Sequence, residues 1–139
     1  EGTWNPIYVG GTTNPTCTYD SATNGHYVKI GSFVHIQGRI RTDGATGGAG
    51  SLSLGNLPFT SMDGDNWYAP LNIGYASTWN ADHHPTTGYI PPNTNECRLV
   101  IGNQADWRDG RTTVLLASDL ANSANGNDII FAAQYMTNE

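Results

Sequence analysis

"HYVKIGSFVHIQGRI", residues 26 to 40, alternates polar and apolar side chains on both sides of a single Gly-Ser pair. Alternation at period two is the pattern of a half-buried strand, and two such runs about a Gly-bearing turn read as a β-hairpin. Its register decides which side chains reach the core, because a slip of one residue exchanges the two faces. A two-residue turn at Gly31-Ser32 sets Lys29 opposite Val34 and Tyr27 opposite Ile36, mixing polar with apolar. A three-residue connection, Gly31 to Phe33, gathers Val28, Ile30, Val34, Ile36 and Ile40 on one face and is the expected register. Tyr27, Lys29, His35, Gln37 and Arg39 then take the less buried side, where His35 is a sheet-surface residue.

The surrounding sequence extends the same grammar. Only 13% of the 139 residues are charged, Lys29 is the single lysine, and Gly, Asn, Thr and Ser are abundant. That balance favours strands and turns over long solvent-exposed helices. "TWNPIYVG", residues 3 to 10, reads as one edge strand, since Pro6 removes a ladder donor. Further strands are expected at Leu52 to Leu54, Tyr68 to Thr78, Gly88 to Ile90, in "CRLVIGN" and "TTVLLAS", and in the closing "DIIFAAQYM". A helical turn is expected at Ser118 to Asn122. Seven to nine short strands separated by turn signals give an all-β fold class, an antiparallel β-sandwich of jelly-roll type. With no repeat and no linker, residues 1 to 139 form a single domain of a size that buries about 68% of its unfolded surface.

The charge excludes some partners. Nine aspartates and three glutamates against one lysine and five arginines leave a net charge of −6, which repels phosphate backbones and anionic membranes at long range. Nucleic acid is therefore not an expected partner, and no apolar run reaches the ~20 residues of a spanning helix, so membrane insertion is not expected either. The chain begins at Glu1 rather than Met and is expected to be part of a longer protein. Cys17 and Cys97 lack metal-ligand spacing and are expected as free thiols, with a single bridge as the alternative.

Taken in order, Gly2-Thr3-Trp4 with Pro6, then Tyr27 to Gly31 leading into Val34, Ile36 and Gly38-Arg39-Ile40, then Leu57-Pro58-Phe59 and the ending Tyr135-Met136-Thr137 carry a resemblance. Together they resemble the C-terminal β-sandwich domain of bacteriophage tail fibres and tailspikes, over nearly the whole chain. The resemblance implies a homotrimeric module on the virion, joined to the remainder of a fibre or spike, that recognises a host surface glycan. Two further readings are a structural trimerisation cap without ligand and a carbohydrate-binding accessory module of a polysaccharide-degrading enzyme. Ligand identity does not carry over, because the two cysteines, the "DHHP" loop and the loop around Trp107 depart from the pattern.

No catalytic constellation stands out. A glycosidase needs two carboxylates about 5 to 10 Å apart, yet Glu96 is the only glutamate away from a terminus and most aspartates sit in turns. His83 and His84 point apart in an extended segment, and "DGDN", residues 63 to 66, lacks the later bidentate Glu of an EF-hand, so neither metal nor cofactor is expected. Sugars pack their C–H faces on aromatic rings while polar neighbours bond the hydroxyls, so aromatics in polar loops mark the candidate glycan site. These are Trp107 with Asp106, Arg108 and Asp109, Trp79 with His83 and His84, and Tyr89 and Trp67. A neutral or amino-sugar glycan suits a trimer whose charge would be three times −6.

Overall fold

The computed structural model describes residues 1–80, 83–102 and 112–139. Eleven strands run through them: β1 (Gly2–Trp4), β2 (Ile7–Gly10), β3 (Thr16–Tyr19), β4 (Asn24–Ile30), β5 (Phe33–Thr46), β6 (Leu52–Gly55), β7 (Ala69–Ser77), β8 (Thr87–Ile90), β9 (Cys97–Gly102), β10 (Thr112–Val114) and β11 (Gly126–Met136). Every strand pairing among the described residues is antiparallel, in the order β1-β4-β5-β11-β7-β8-β9-β6-β2, with β3 continuing the β4 side of β5 and β10 joining β9. The expected helical turn is a short 3-10 turn at Ala117–Asp119.

The hairpin adopts the tight register, correcting the expectation of a three-residue connection. Ile30 pairs with Phe33, Lys29 with Val34 and Tyr27 with Ile36. Gly31 has φ +58 while Ser32 does not have a positive φ, the arrangement in which a glycine-led two-residue turn matches the strand twist. Val34, Ile36 and Ile40 are fully buried, whereas Val28 and Ile30 face outward, Ile30 at 72% exposure. The inward side of β4 is filled instead by Tyr27, whose ring meets Phe59 edge-on at 5.2 Å, and by the Lys29 stem, which carries Nζ over the same ring.

The residues from Thr3 to Gly10 are a second correction. They do not form one strand: β1 and β2 lie at opposite ends of the sheet path, separated at Asn5-Pro6. The path curls back on itself, since Tyr8 of the last strand donates its hydroxyl proton to the Asn127 carbonyl on central β11 at 2.5 Å. Its backbone N–H bonds Tyr19 Oη on β3 at 2.7 Å. Between the facing layers lies one apolar core drawn from Val34, Ile36, Ile40, Leu52, Leu54, Leu71, Leu99, Ile129, Phe131 and their neighbours. Cys17 and Cys97 are both free thiols, the latter fully buried in that core.

Candidate functional site

The expected glycan residues that are described do not converge on one place. Trp107, Asp106, Arg108 and Asp109 lie outside the described residues; Gly102 and Thr112, which flank that connection, are ladder partners. Trp79 is core-packed: its ring meets Tyr8 edge-on at 5.7 Å, and its indole N–H points at the Asp128 carbonyl at 3.5 Å. His83 places Nδ1 2.9 Å from Asp119 Oδ1, and the other carboxylate oxygen of Asp119 accepts the Leu116 N–H. Nearby His84 is half-buried. Among the described residues, no group of three or more His, Cys, Asp or Glu could hold a metal ion.

Trp67 and Tyr89 belong to the other end of β7. Tyr89 pairs with Pro70 near the start of that strand, whereas Trp79 and His83 follow its end. Eight residues of strand, roughly 27 Å, separate the two groups. Trp67 is 50% exposed and Tyr68 60% exposed, with the Tyr68 and Tyr89 rings 6.0 Å apart and tilted. Among the described members of the expected site, Trp67 is exposed and follows Asp63 and Asp65 in sequence, while Tyr89 is half-buried.

A second surface lies on the strands themselves. The outward face of β4, β5, β11 and β7 carries a groove of about 450 Å³, within the range of small-ligand sites. Pairing builds it in rows: His26, Gln37, Ala132 and Asn72 are successive partners across the four strands, and Asn24, Arg39, Ile130 and Tyr75 form the next row. Each row crosses about 14 Å. The floor is Ile130 and Ala132, and the depression deepens at Gly74, where the β7–β11 register shifts by one residue. A Cβ added at Gly74 would meet nothing closer than the Ile130 carbonyl at 3.9 Å, so the space there is open.

Among the described residues, the one arginine of the groove is paired with a carboxylate. The side chains of His26, Gln37 and Asn72 form no hydrogen bond to another described residue, which leaves donors and acceptors free for a ligand. Arg39 is gripped by Asp128 through Nε to Oδ1 at 2.8 Å and Nη2 to Oδ2 at 2.5 Å. This two-bond carboxylate contact holds the guanidinium above its ordinary range. No carboxylate is among the described residues that line the groove. Sequence periodicity places Gln37 and Arg39 on the solvent side, but only the four-strand register brings them beside Asn72 and Ile130.

No family model, no curated protein and no solved structure matches the chain.

Proposed function

We propose that the chain is the tip domain of a bacteriophage tail fibre or tailspike, carried on the virion as a homotrimer, which recognises host cell-surface carbohydrate without catalysing a reaction. The sequence resemblance supplies the setting. The observation that supports carbohydrate is the groove: an apolar floor at Ile130 and Ala132, flanked by His26, Gln37 and Asn72, whose side chains bond no other described residue. A pyranose presents C–H patches and hydroxyls in alternation, which such a surface matches.

Binding of the isolated domain to a glycan array or to host envelope polysaccharide tests the reading. Gln37→Ala and Asn72→Ala are each expected to weaken binding about tenfold, one hydrogen-bonding group apiece. Unchanged affinity in both would move the site elsewhere, and absence of any carbohydrate binding would leave the structural cap.

That second reading has its own support. At the tip of the hairpin, Ile30, Phe33 and Val28 are exposed, and Phe33 pairs with Met136 on β11, forming an apolar end to the same outward face. An apolar end of this kind suits association with further copies of the chain.

A further inference from the structure

We infer that the groove selects uncharged sugar residues, and that Asp128 is the specificity-determining residue, through its hold on Arg39; the inference rests on the carbohydrate reading of this surface. An exposed arginine in a binding groove ordinarily recruits carboxylates, sulfates or phosphates through its planar pair of N–H donors. Here that fork is already filled. Asp128, 5% exposed, takes Nε and Nη2 of Arg39, which is 35% exposed. A ligand carboxylate approaching Arg39 meets a site whose charge is spent and whose nearest neighbour is another carboxylate. A hydroxyl, needing only one donor, can still use the remaining N–H groups of Arg39.

The same device recurs one step along the strand. Arg41, the next arginine on the outward side of β5, donates from Nε and Nη2 to Asp20 Oδ1 at 2.9 and 2.5 Å. Both outward arginines of β5 are therefore neutralised within the chain, and among the described residues that line the groove only His26 adds a titratable group. The chain's net charge of −6 acts in the same direction at long range.

The test compares binding of neutral oligosaccharides and of uronate-containing oligosaccharides to the full chain, with folding of every variant checked by circular dichroism. The unaltered chain is expected to bind the neutral set with an affinity that does not change with salt, and the acidic set at least about tenfold more weakly. Asp128→Asn frees the Arg39 charge and is expected to raise affinity for the acidic set about tenfold, in a manner reversed by salt. The double variant Arg39→Gln with Asp128→Asn should lose that gain, its affinity for the acidic set returning to that of the unaltered chain.

Equal or tighter binding of the acidic set by the unaltered chain, abolished by filling the groove with Gly74→Leu, would overturn the charge selection while leaving carbohydrate recognition standing. A folded Asp128→Asn with no gain for acidic sugars would overturn the role of Asp128. Should Asp128→Asn fail to fold, the salt dependence of the unaltered chain decides, a steep fall with salt counting against the inference. No binding of either set would overturn the carbohydrate reading and the inference together.

Discussion

The indole of Trp4 occupies the space above Gly25 that any Cβ would fill, and the two are ladder partners in β1 and β4. The relation is reciprocal along the same pair of strands: Gly2 partners Tyr27, and a Cβ at Gly2 would lie 2.6 Å from the Tyr27 hydroxyl oxygen. Behind them Trp4 meets Phe131 edge-on at 6.0 Å, and Gly38, the partner of Gly25 on β5, leaves room for that second ring. Glycine weakens a strand unless something covers it, and here the aromatic rings of neighbouring strands do so.

Substitution at this contact has a sign opposite to the usual one. Gly→Ala in a strand ordinarily gains from a less flexible unfolded chain, but Gly25→Ala is expected to lose about 1–3 kcal/mol by overpacking against the indole. Trp4→Ala should cost about 3–5 kcal/mol by opening a cavity. Urea denaturation measures both, and a neutral or stabilising Gly25→Ala would contradict the packing described.

At the hairpin turn the cost is purely conformational. A Cβ at Gly31 meets nothing within 4 Å, yet φ is +58. Gly31→Ala is expected to destabilise by about 1–2 kcal/mol, and Gly31→Asn by less, because Asn tolerates the left-handed region. Equal stabilities in thermal denaturation would mean that the turn is not the two-residue one.

Alkali should unfold the protein through its buried phenols and thiol. Burial raises Tyr8, Tyr19, Tyr135 and Cys97 well above their ordinary values. The unfolded chain releases these protons at about pH 9–10 while the folded chain retains them, so stability is full below that range and falls as pH rises through it. Denaturation midpoints between pH 7 and 11 check this, with a flat profile as the contrary result. At the acid end, Asp20 is held below its ordinary value by the Ala22 N–H and by Arg41. Its contribution is present above about pH 4 and disappears as pH falls further.

The apolar end of the hairpin predicts association. Ile30→Lys and Phe33→Lys should lower the sedimentation mass from trimer toward monomer without changing the circular dichroism spectrum, since both side chains are exposed in the single chain. A monomeric unaltered chain would remove the trimer from the account.

Much of the strand inventory was legible because period-two alternation is a local property. β7, β9 and β11 fall where the alternation of Tyr68 to Thr78, Cys97 to Ile101 and Ile129 to Tyr135 puts them, whereas β5 covers Val34 to Ile40 and runs on to Thr46 through a Gly-bearing stretch that carries no alternation signal. The hairpin register was not, because the pattern assumes that aliphatic residues seek the core. Val28 and Ile30 are displaced outward since Tyr27 and Lys29 pack inward around Phe59, a residue far along the chain. Trp79, expected at the glycan site, packs against Tyr8 instead, and parity along β7 does not reveal this, because the extra residue at Gly74 turns Tyr75 outward. The groove was invisible for the same reason that register is: His26, Gln37, Asn72 and Ile130 are ordinary residues until four strands align them.

Carbohydrate binding at the outward face of β4, β5, β11 and β7 is tested by amide chemical-shift mapping during titration with a bound neutral oligosaccharide. Shifts are expected at His26, Gln37, Asn72, Gly74 and Ile130, and are expected to vanish in Gly74→Leu. Shifts confined to Trp67, Tyr68 and Tyr89, and unaffected by Gly74→Leu, would contradict it and place recognition at the exposed aromatic cluster.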